Sequence, residues 1–301
     1  MMNTVTMEKP KKFKSVKKSN KFSSILSYIV LGVLALVWLY PILWIILNAF
    51  RNEYNTSGQL VGIVVSHYFP HALGLENFRL LFTETLFPQW FLNTMLVAVC
   101  TFVLSTFLTL CVAYVMSKLK FKLRKKFLGI AIILGLFPGF MSMIAIYYIL
   151  KALQLTQTLF ALILVYSAGA GLGFYVAKGF FDIIPNSLVE SGRLDGATNF
   201  QIFSKIIVPI SKPIIIYTAL TSFIGPWMDF IFARVILGET NVELHTVAVG
   251  LYYMMYGERI DSNVFTIFCA GCVIVAIPIV TLFLMMQKYY VEGVTAGAVK
   301  G

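Results

Sequence analysis

The sequence predicts an all-α membrane protein with six transmembrane helices and both chain ends in the cytoplasm. Three observations predict it. Only 12% of the 301 residues are charged and 59% are hydrophobic, whereas a soluble domain carries roughly 25% charged residues. Six apolar runs recur along the chain, and about 20 apolar residues cross a bilayer as a helix. The basic residues gather between alternate runs.

The runs are 25–50, 91–116, 127–150, 159–181, 214–237 and 264–286. They are long and do not alternate, so they read as helices, which satisfy their own backbone in lipid. The first run is longer than a signal h-region and no small-x-small cleavage site follows it, so it reads as a retained helix. Pro41 predicts a kink within it.

Charge sets the orientation. Seven lysines lie in the first 21 residues and six basic residues lie in 118–126. With the N-terminus inside, 19 of the 24 Lys and Arg fall on the cytoplasmic side, leaving Arg51, Arg79, Lys151, Arg234 and Arg259 outside. That is the positive-inside pattern. The same placement explains the net charge of +11 without nucleic acid as a partner. The chain therefore divides into a basic cytoplasmic segment 1–24, a membrane domain 25–286 with a polar loop at 182–213, and a cytoplasmic tail 287–301.

Several candidate sites dissolve on inspection. Cys269 and Cys272 form a C-x-x-C pair inside an apolar run, with no further ligands for a metal; they read as small helix-packing residues. His67 and His71 flank Phe69-Pro70 in an outer loop and read as surface residues without an acidic neighbour. The cluster 169–173, GAGLG, lacks the Lys-Ser/Thr of a phosphate loop and reads as close helix packing. No nucleotide site, metal site or catalytic Ser-His-Asp set is visible, so the chain reads as non-enzymatic and without a cofactor of its own.

The polar loop carries the pattern. Ser187 and Glu190 fit one capping box, and Thr198 and Gln201 a second. Gly196 is placed to end the first short helix. Phe200, Phe203, Ile206 and Ile207 then recur at helical spacing and predict an apolar face. Pro209 and Pro213 punctuate the entry to the fifth membrane helix. A capped, turned and amphipathic loop on the cytoplasmic side predicts a docking surface for a protein.

The spacing Glu190, Gly196, Ile206, Val208-Pro209 resembles the EAA loop of ATP-binding-cassette importer permeases. Ser191-Gly192 stands where that family has Ala-Ala, and glycine costs about 1 kcal/mol of helix propensity relative to alanine. Asp195-Gly196-Ala197 is similar to the Asp-Gly-Ala of the sugar importers. The tail 294–301, VTAGAVKG, the stretch 40–44, YPILW, and 245–250, HTVAVG, resemble the smaller permease subunit of the maltose/maltodextrin type. The resemblance covers nearly the whole chain.

It implies a type I importer permease fold. It also implies a second permease subunit as heterodimer partner, two ATPase subunits that bind ATP and magnesium, and an extracellular binding protein that delivers an oligosaccharide. Maltodextrin comes first and galacto-oligosaccharide is the alternative. Glu190, Asp195, Gly196, Ala197, Phe200, Phe203, Ile206 and Pro209 would form the joint with the ATPase, with Phe200 or Phe203 filling an apolar pocket and Glu190 acting as cap or salt-bridge partner. Thr295, Ala296 and Gly297 would reach between the ATPases, and residues near 245–250 would probe the binding protein. For the pathway, Tyr217 and Trp227 are candidates for stacking on sugar. Asp229, the one acid deep in a membrane run, is either a pathway residue or a structural partner of a neighbouring subunit. A secondary transporter is the distant rival; it calls for more intramembrane acids or an inverted repeat.

Overall fold

The computed structural model describes residues 21–54, 58, 60, 67–169, 173–257 and 264–295. In chain order the helices are α1 (Lys21–Ala49), α2 (Glu76–Thr83), α3 (Phe87–Lys118), α4 (Arg124–Gly135), α5 (Gly139–Ala152), α6 (Leu159–Gly169), α7 (Phe174–Ile183), α8 (Asn186–Leu194), α9 (Asn199–Ile202), α10 (Val208–Ile210), α11 (Lys212–Met228), α12 (Ile231–Leu237), α13 (Val247–Tyr256) and α14 (Val264–Thr295). A π-turn, Phe203–Ile207, joins α9 to α10. Among the described residues the only β pairing is two isolated bridges, Arg51 with Leu73 and Tyr54 with Leu60.

Among the described residues four spans are long and apolar enough to cross a membrane, and two bent pairs bring the number to six if each counts as one span. The third and fifth runs are not single rods. The third breaks between α4 and α5 with a 104° bend. Pro138 stands at the break in extended geometry, because its ring denies the preceding turn a hydrogen bond. The fifth ends at Met228 and resumes at Ile231. By contrast α1 continues through Pro41.

The chain divides into two units: residues up to Trp44 form one and those from Ile45 the other. In the first unit α1 exposes its apolar side chains from Ile25 to Leu43, Tyr28, Leu36 and Trp38 among them, as a helix with lipid for solvent does.

In the second unit α3 is the central column, packed on α6, α7, α11 and α13. Small polar residues line its buried side: Asn93, Thr94, Thr101, Ser105, Thr109 and Ser117. Such residues let helices approach closely in a membrane. At its C-terminal end an apolar cluster joins Leu110 and Tyr114 to Phe181, Val189, Ile202, Phe203 and Ile207. At its N-terminal end Phe87, Trp90 and Ala98 pack with Val247, Leu251 and residues of α14.

Candidate functional site

The polar loop folds as two short helices about a glycine turn, and Gly196 makes the turn. Its φ is +78°, a conformation glycine adopts without the Cβ penalty. The Ala197 N–H donates to Gly192 O at 2.9 Å and the Gly196 N–H to Arg193 O at 3.0 Å, the paired bonds of a Schellman end. The second capping box forms: Gln201 N donates to Thr198 Oγ1 at 3.2 Å and Thr198 N to Gln201 Oε1 at 2.8 Å. The first does not. Helix α8 starts earlier, with Pro185 at its N-cap and no side-chain cap, because Pro185 supplies a ready φ there. Glu190 is therefore no cap; it lies exposed on α8.

The apolar face divides in two. Phe203 is buried in the chain's own core, 5.1 Å from the Tyr114 ring, so it is not free to fill a partner's pocket. Phe203 and Ile207, at the two ends of the π-turn, are both buried. Phe200 is 68% exposed and Leu194 89% exposed, so an apolar residue stands on each side of the Gly196 turn. Asp195 is exposed beside them and Ala197 is half-buried. Leu194 escaped the sequence reading because it sits at the end of a short polar helix without a periodic partner. Ile206 packs inward on Gly192, and Pro209 lies exposed in the first turn of α10.

The loop is anchored to α3. Lys118 is buried, and its Nζ donates to Ile184 O at 2.6 Å and to Asn186 Oδ1 at 3.2 Å. Ser117 Oγ donates to Asp182 Oδ1 at 2.6 Å. In the sequence Lys118 counts only as one charge of a basic cluster; the fold uses it to hold the loop's first residues. At the far end the chain turns 88° between α10 and α11, with Ser211 buried at the corner.

The outer end differs from expectation. Residues 245–250 do not offer a probe: His245, Thr246, Val247, Val249 and Gly250 are all buried. Three side chains of α3 hold this segment. Trp90 Nε1 donates to Val242 O at 2.8 Å, Asn93 Nδ2 to Glu243 O at 2.7 Å and His245 O at 3.0 Å, and Thr94 Oγ1 accepts from Val247 N at 2.7 Å. Burial holds the His245 imidazole below the usual histidine range, against the raising effect of its bond to Gly238 O.

The outer histidines do have an acidic neighbour. Glu53 lies 3.2 Å from His67 Nε2 and accepts from the His71 N–H. The fully buried Arg51 guanidinium bonds Glu53 at 3.1 Å. Burial opposes ionisation of Glu53, but the His71 N–H, His67 and Arg51 outweigh it and bring its pKa to about 2. Among the described residues no group of three His, Cys, Asp or Glu is arranged to hold a metal.

Between α3 and α11 lies a cavity of about 470 Å³, reached also by α5, α6 and α7. Tyr217 lines it; Trp227 and Asp229 do not. Trp227 is 3% exposed and meets Phe91 edge-on at 5.2 Å, so its ring is core. Asp229 serves its own chain: its carboxylate accepts from Phe232 N at 3.1 Å and Ala233 N at 3.2 Å, capping α12, and from the Tyr166 hydroxyl at 2.5 Å. Gly169 and Gly173 edge the cavity, and a Cβ at Gly169 would meet nothing within 4 Å, so Gly169 does not serve close packing. Residues 170–172 of that cluster, and the tail residues Ala296 and Gly297, lie outside the described residues; Thr295 ends α14.

The family model for "Binding-protein-dependent transport system inner membrane component" matches residues 109–295. The chain belongs to that family. It is a multi-pass membrane component of a transport system and carries the ABC type I importer permease fold. Among curated relatives it is 33% identical to the maltodextrin transport system permease protein MalD of Streptococcus pneumoniae, over 95% of this chain and 99% of that one. It is 32% identical to the galactooligosaccharides transport system permease protein GanQ of Bacillus subtilis, over 91% and 95%. It is also 32% identical to the maltose/maltodextrin transport system permease protein MalG of Vibrio vulnificus, over 94% and 98%. Among solved structures it is similar to a chain of a bacterial ABC transporter that imports the acidic polysaccharide alginate, with a TM-score of 0.78 and 23% identity, covering 92% of this permease and all of that chain.

Proposed function

We propose that this permease is the non-catalytic translocation subunit of an ATP-driven oligosaccharide importer, with maltodextrin as its cargo. The observation that carries the reading is the loop at Gly196. It is a rigid turn that sets Leu194 and Phe200 outward as a pair, the form of an apolar anchor for a groove on a partner. A second permease, two ATPase subunits and a solute-binding protein complete the assembly. ATP and magnesium are held by the ATPases, and this chain needs no cofactor.

The charge distribution supports a cytoplasmic loop and cytoplasmic chain ends. Glu190 and Asp195, exposed on the loop, face the partner as salt-bridge candidates. The same reading assigns residues 295–297 the role of reaching between the ATPases.

The mechanism follows from how the loop is tied down. Lys118 and the Tyr114–Phe203 contact join it to α3. The corner at Ser211 joins it to α11. These two helices form the walls of the cavity, so a push on Leu194 and Phe200 by closing ATPases reaches both walls through packed side chains. A low-compressibility interior transmits such a displacement.

Purification from native membranes tests this reading. It expects a second permease and an ATPase to co-purify, with ATP hydrolysis raised by one sugar-loaded binding protein. The similarity to GanQ makes galacto-oligosaccharide the alternative cargo, and stimulation by a galacto-oligosaccharide-loaded protein alone selects it. A chain that purifies alone and moves sugar on a proton gradient overturns the proposal.

A further inference from the structure

At its inner end α3 turns into α4 through 120–127, KFKLRKKF, where basic and apolar residues are interleaved. The basic residues of this end divide by role. Lys118, just before the turn, is buried and holds the start of the polar loop. Arg124 is half-buried and its charge acts on Asp182. Lys120, Lys122, Lys125 and Lys126 are exposed, and among the described residues no salt bridge reaches any of them. The positive-inside pattern needs only their number. It does not call for aromatic rings among them, yet Phe121 and Phe127 are both exposed, with ring centroids 6.4 Å apart.

Helix α4 extends the apolar half of this pattern. One face leans on its own chain: Leu128 and Ala131 rest on the apolar cluster of α3 and α7, and the Tyr175 hydroxyl donates to Leu128 O. No residue of the helix is fully buried. Leu123, Phe127, Ile130 and Leu134 are all exposed, and their spacing of three or four residues stacks them on one side. Twelve residues at about 1.5 Å each give about 18 Å, little more than half of a hydrocarbon core of about 30 Å. The chain then bends by 104°. Thus α4 has the length of one leaflet, with four free cations at its base and an apolar stripe above them.

An occupant of this face must be apolar over one leaflet and anionic at its cytoplasmic end. We propose that the face binds an anionic phospholipid of the cytoplasmic leaflet, with its phosphate among Lys120, Lys122, Lys125 and Lys126 and an acyl chain along the stripe. Clustered lysines beside a membrane span attract such headgroups. Their long apolar stems let the ammonium groups reach the phosphate, while an aromatic ring such as Phe121 sits at the interface. Apolar contact with a neighbouring protein would leave the four cations unanswered. The same turn adjoins Lys118 and carries Arg124, which act on the start of the polar loop, so a bound lipid fixes the base of that loop at headgroup level. The proposal rests on the reading that puts this end of α3 in the cytoplasm.

The test is site-specific photocrosslinking in the purified full transporter, held in nanodiscs of equal phosphatidylglycerol and phosphatidylcholine. Benzoylphenylalanine replaces Phe127, and mass spectrometry identifies the captured lipid. Phosphatidylglycerol is expected to exceed phosphatidylcholine by about fivefold or more, with the ratio falling toward one at high salt. Replacing Lys120, Lys122, Lys125 and Lys126 together by glutamine should bring the ratio to about one. Should that variant not assemble, the pairs Lys120→Gln with Lys122→Gln and Lys125→Gln with Lys126→Gln replace it, each with a partial loss. The same crosslinker in place of Tyr148, exposed on α5, is the control and should show no preference. Equal capture of the two lipids at Phe127, a ratio indifferent to the lysines, or capture of a second permease or an ATPase instead of lipid overturns the site. Lys122→Cys, probed with a membrane-impermeant maleimide, tests the orientation separately. It should stay unlabelled above the parent in intact cells and react once they are opened. Labelling in intact cells overturns the cytoplasmic placement whatever the lipid ratio.

Discussion

Gly192 lies directly under Ile206: a Cβ at this position would stand 3.0 Å from Ile206 Cδ1 and 3.2 Å from Ile202 Cγ1. The relationship accounts for glycine at this position. The residue is buried where α8 and α9 cross, and the isoleucines fill the space a methyl group would take. Helix propensity favours alanine by about 1 kcal/mol, and the crowding opposes it. Gly192→Ala alone is expected to leave stability within about 1 kcal/mol of the parent while impairing loop packing. Adding Ile206→Val should relieve it, with a coupling of about 0.5–1 kcal/mol in a double-mutant cycle. Thermal unfolding of the purified assembly reads the cycle, and strict additivity would refute the contact.

Leu194 and Phe200 should behave differently from Phe203. Leu194→Ser and Phe200→Ala remove exposed side chains, so they are expected to leave folding unchanged and reduce co-purification of the ATPase by tenfold or more, about 1.4 kcal/mol. Phe203→Ala empties the core beside Tyr114 and should cost about 3 kcal/mol of stability. A Phe203 variant that folds normally but loses the ATPase would restore Phe203 to the docking surface.

Gly250 is expected to tolerate no side chain. A Cβ there would approach Trp90 Cδ2 to 2.1 Å, in a segment pinned by Asn93 and Thr94. Gly250→Ala should destabilise by about 1–3 kcal/mol, seen as a lowered melting temperature. An unchanged melting temperature would mean that 245–250 is not packed as described.

Acid should weaken the outer loop in a defined window. Glu53 has a folded pKa of about 2 against an ordinary 4.5. The unfolded chain therefore binds this proton first as pH falls. The stability contributed by Glu53 is full above 4.5 and is lost between 4.5 and about 2. Glu53→Gln should lower stability at neutral pH, because Arg51 keeps its burial without its anion, and should flatten the acid limb in that window. The melting temperature of both proteins against pH checks it; parallel acid limbs would exclude the Glu53 contribution.

Asp229 is expected to act as a helix cap and not as a proton carrier. Asp229→Ala should cost about 0.5–2 kcal/mol, whereas Asp229→Asn keeps an acceptor for the Phe232 and Ala233 N–H groups and should retain most of the stability. Uptake into proteoliposomes should not change when the proton gradient is collapsed. Sensitivity to the gradient that vanishes in Asp229→Asn would favour an ion-coupled transporter.

The membrane class, the apolar runs and the loop with its Thr198 cap and Gly196 turn were legible in the sequence, because each rests on local physics. Apolar length, a polar side chain within reach of its own backbone, and a φ that glycine adopts freely need no distant partner. The tertiary structure alone decided which residues of the amphipathic loop face inward. Phe200 and Phe203 share a helical stripe in the sequence, but packing against the Tyr114 ring takes one of them into the core. The same holds for Asp229, Trp227 and residues 245–250, whose roles depend on Tyr166, Phe91 and Trp90, far away along the chain. A sequence records that a group must be satisfied; the fold chooses what satisfies it, since burial and hydrogen bonding depend on neighbours in space.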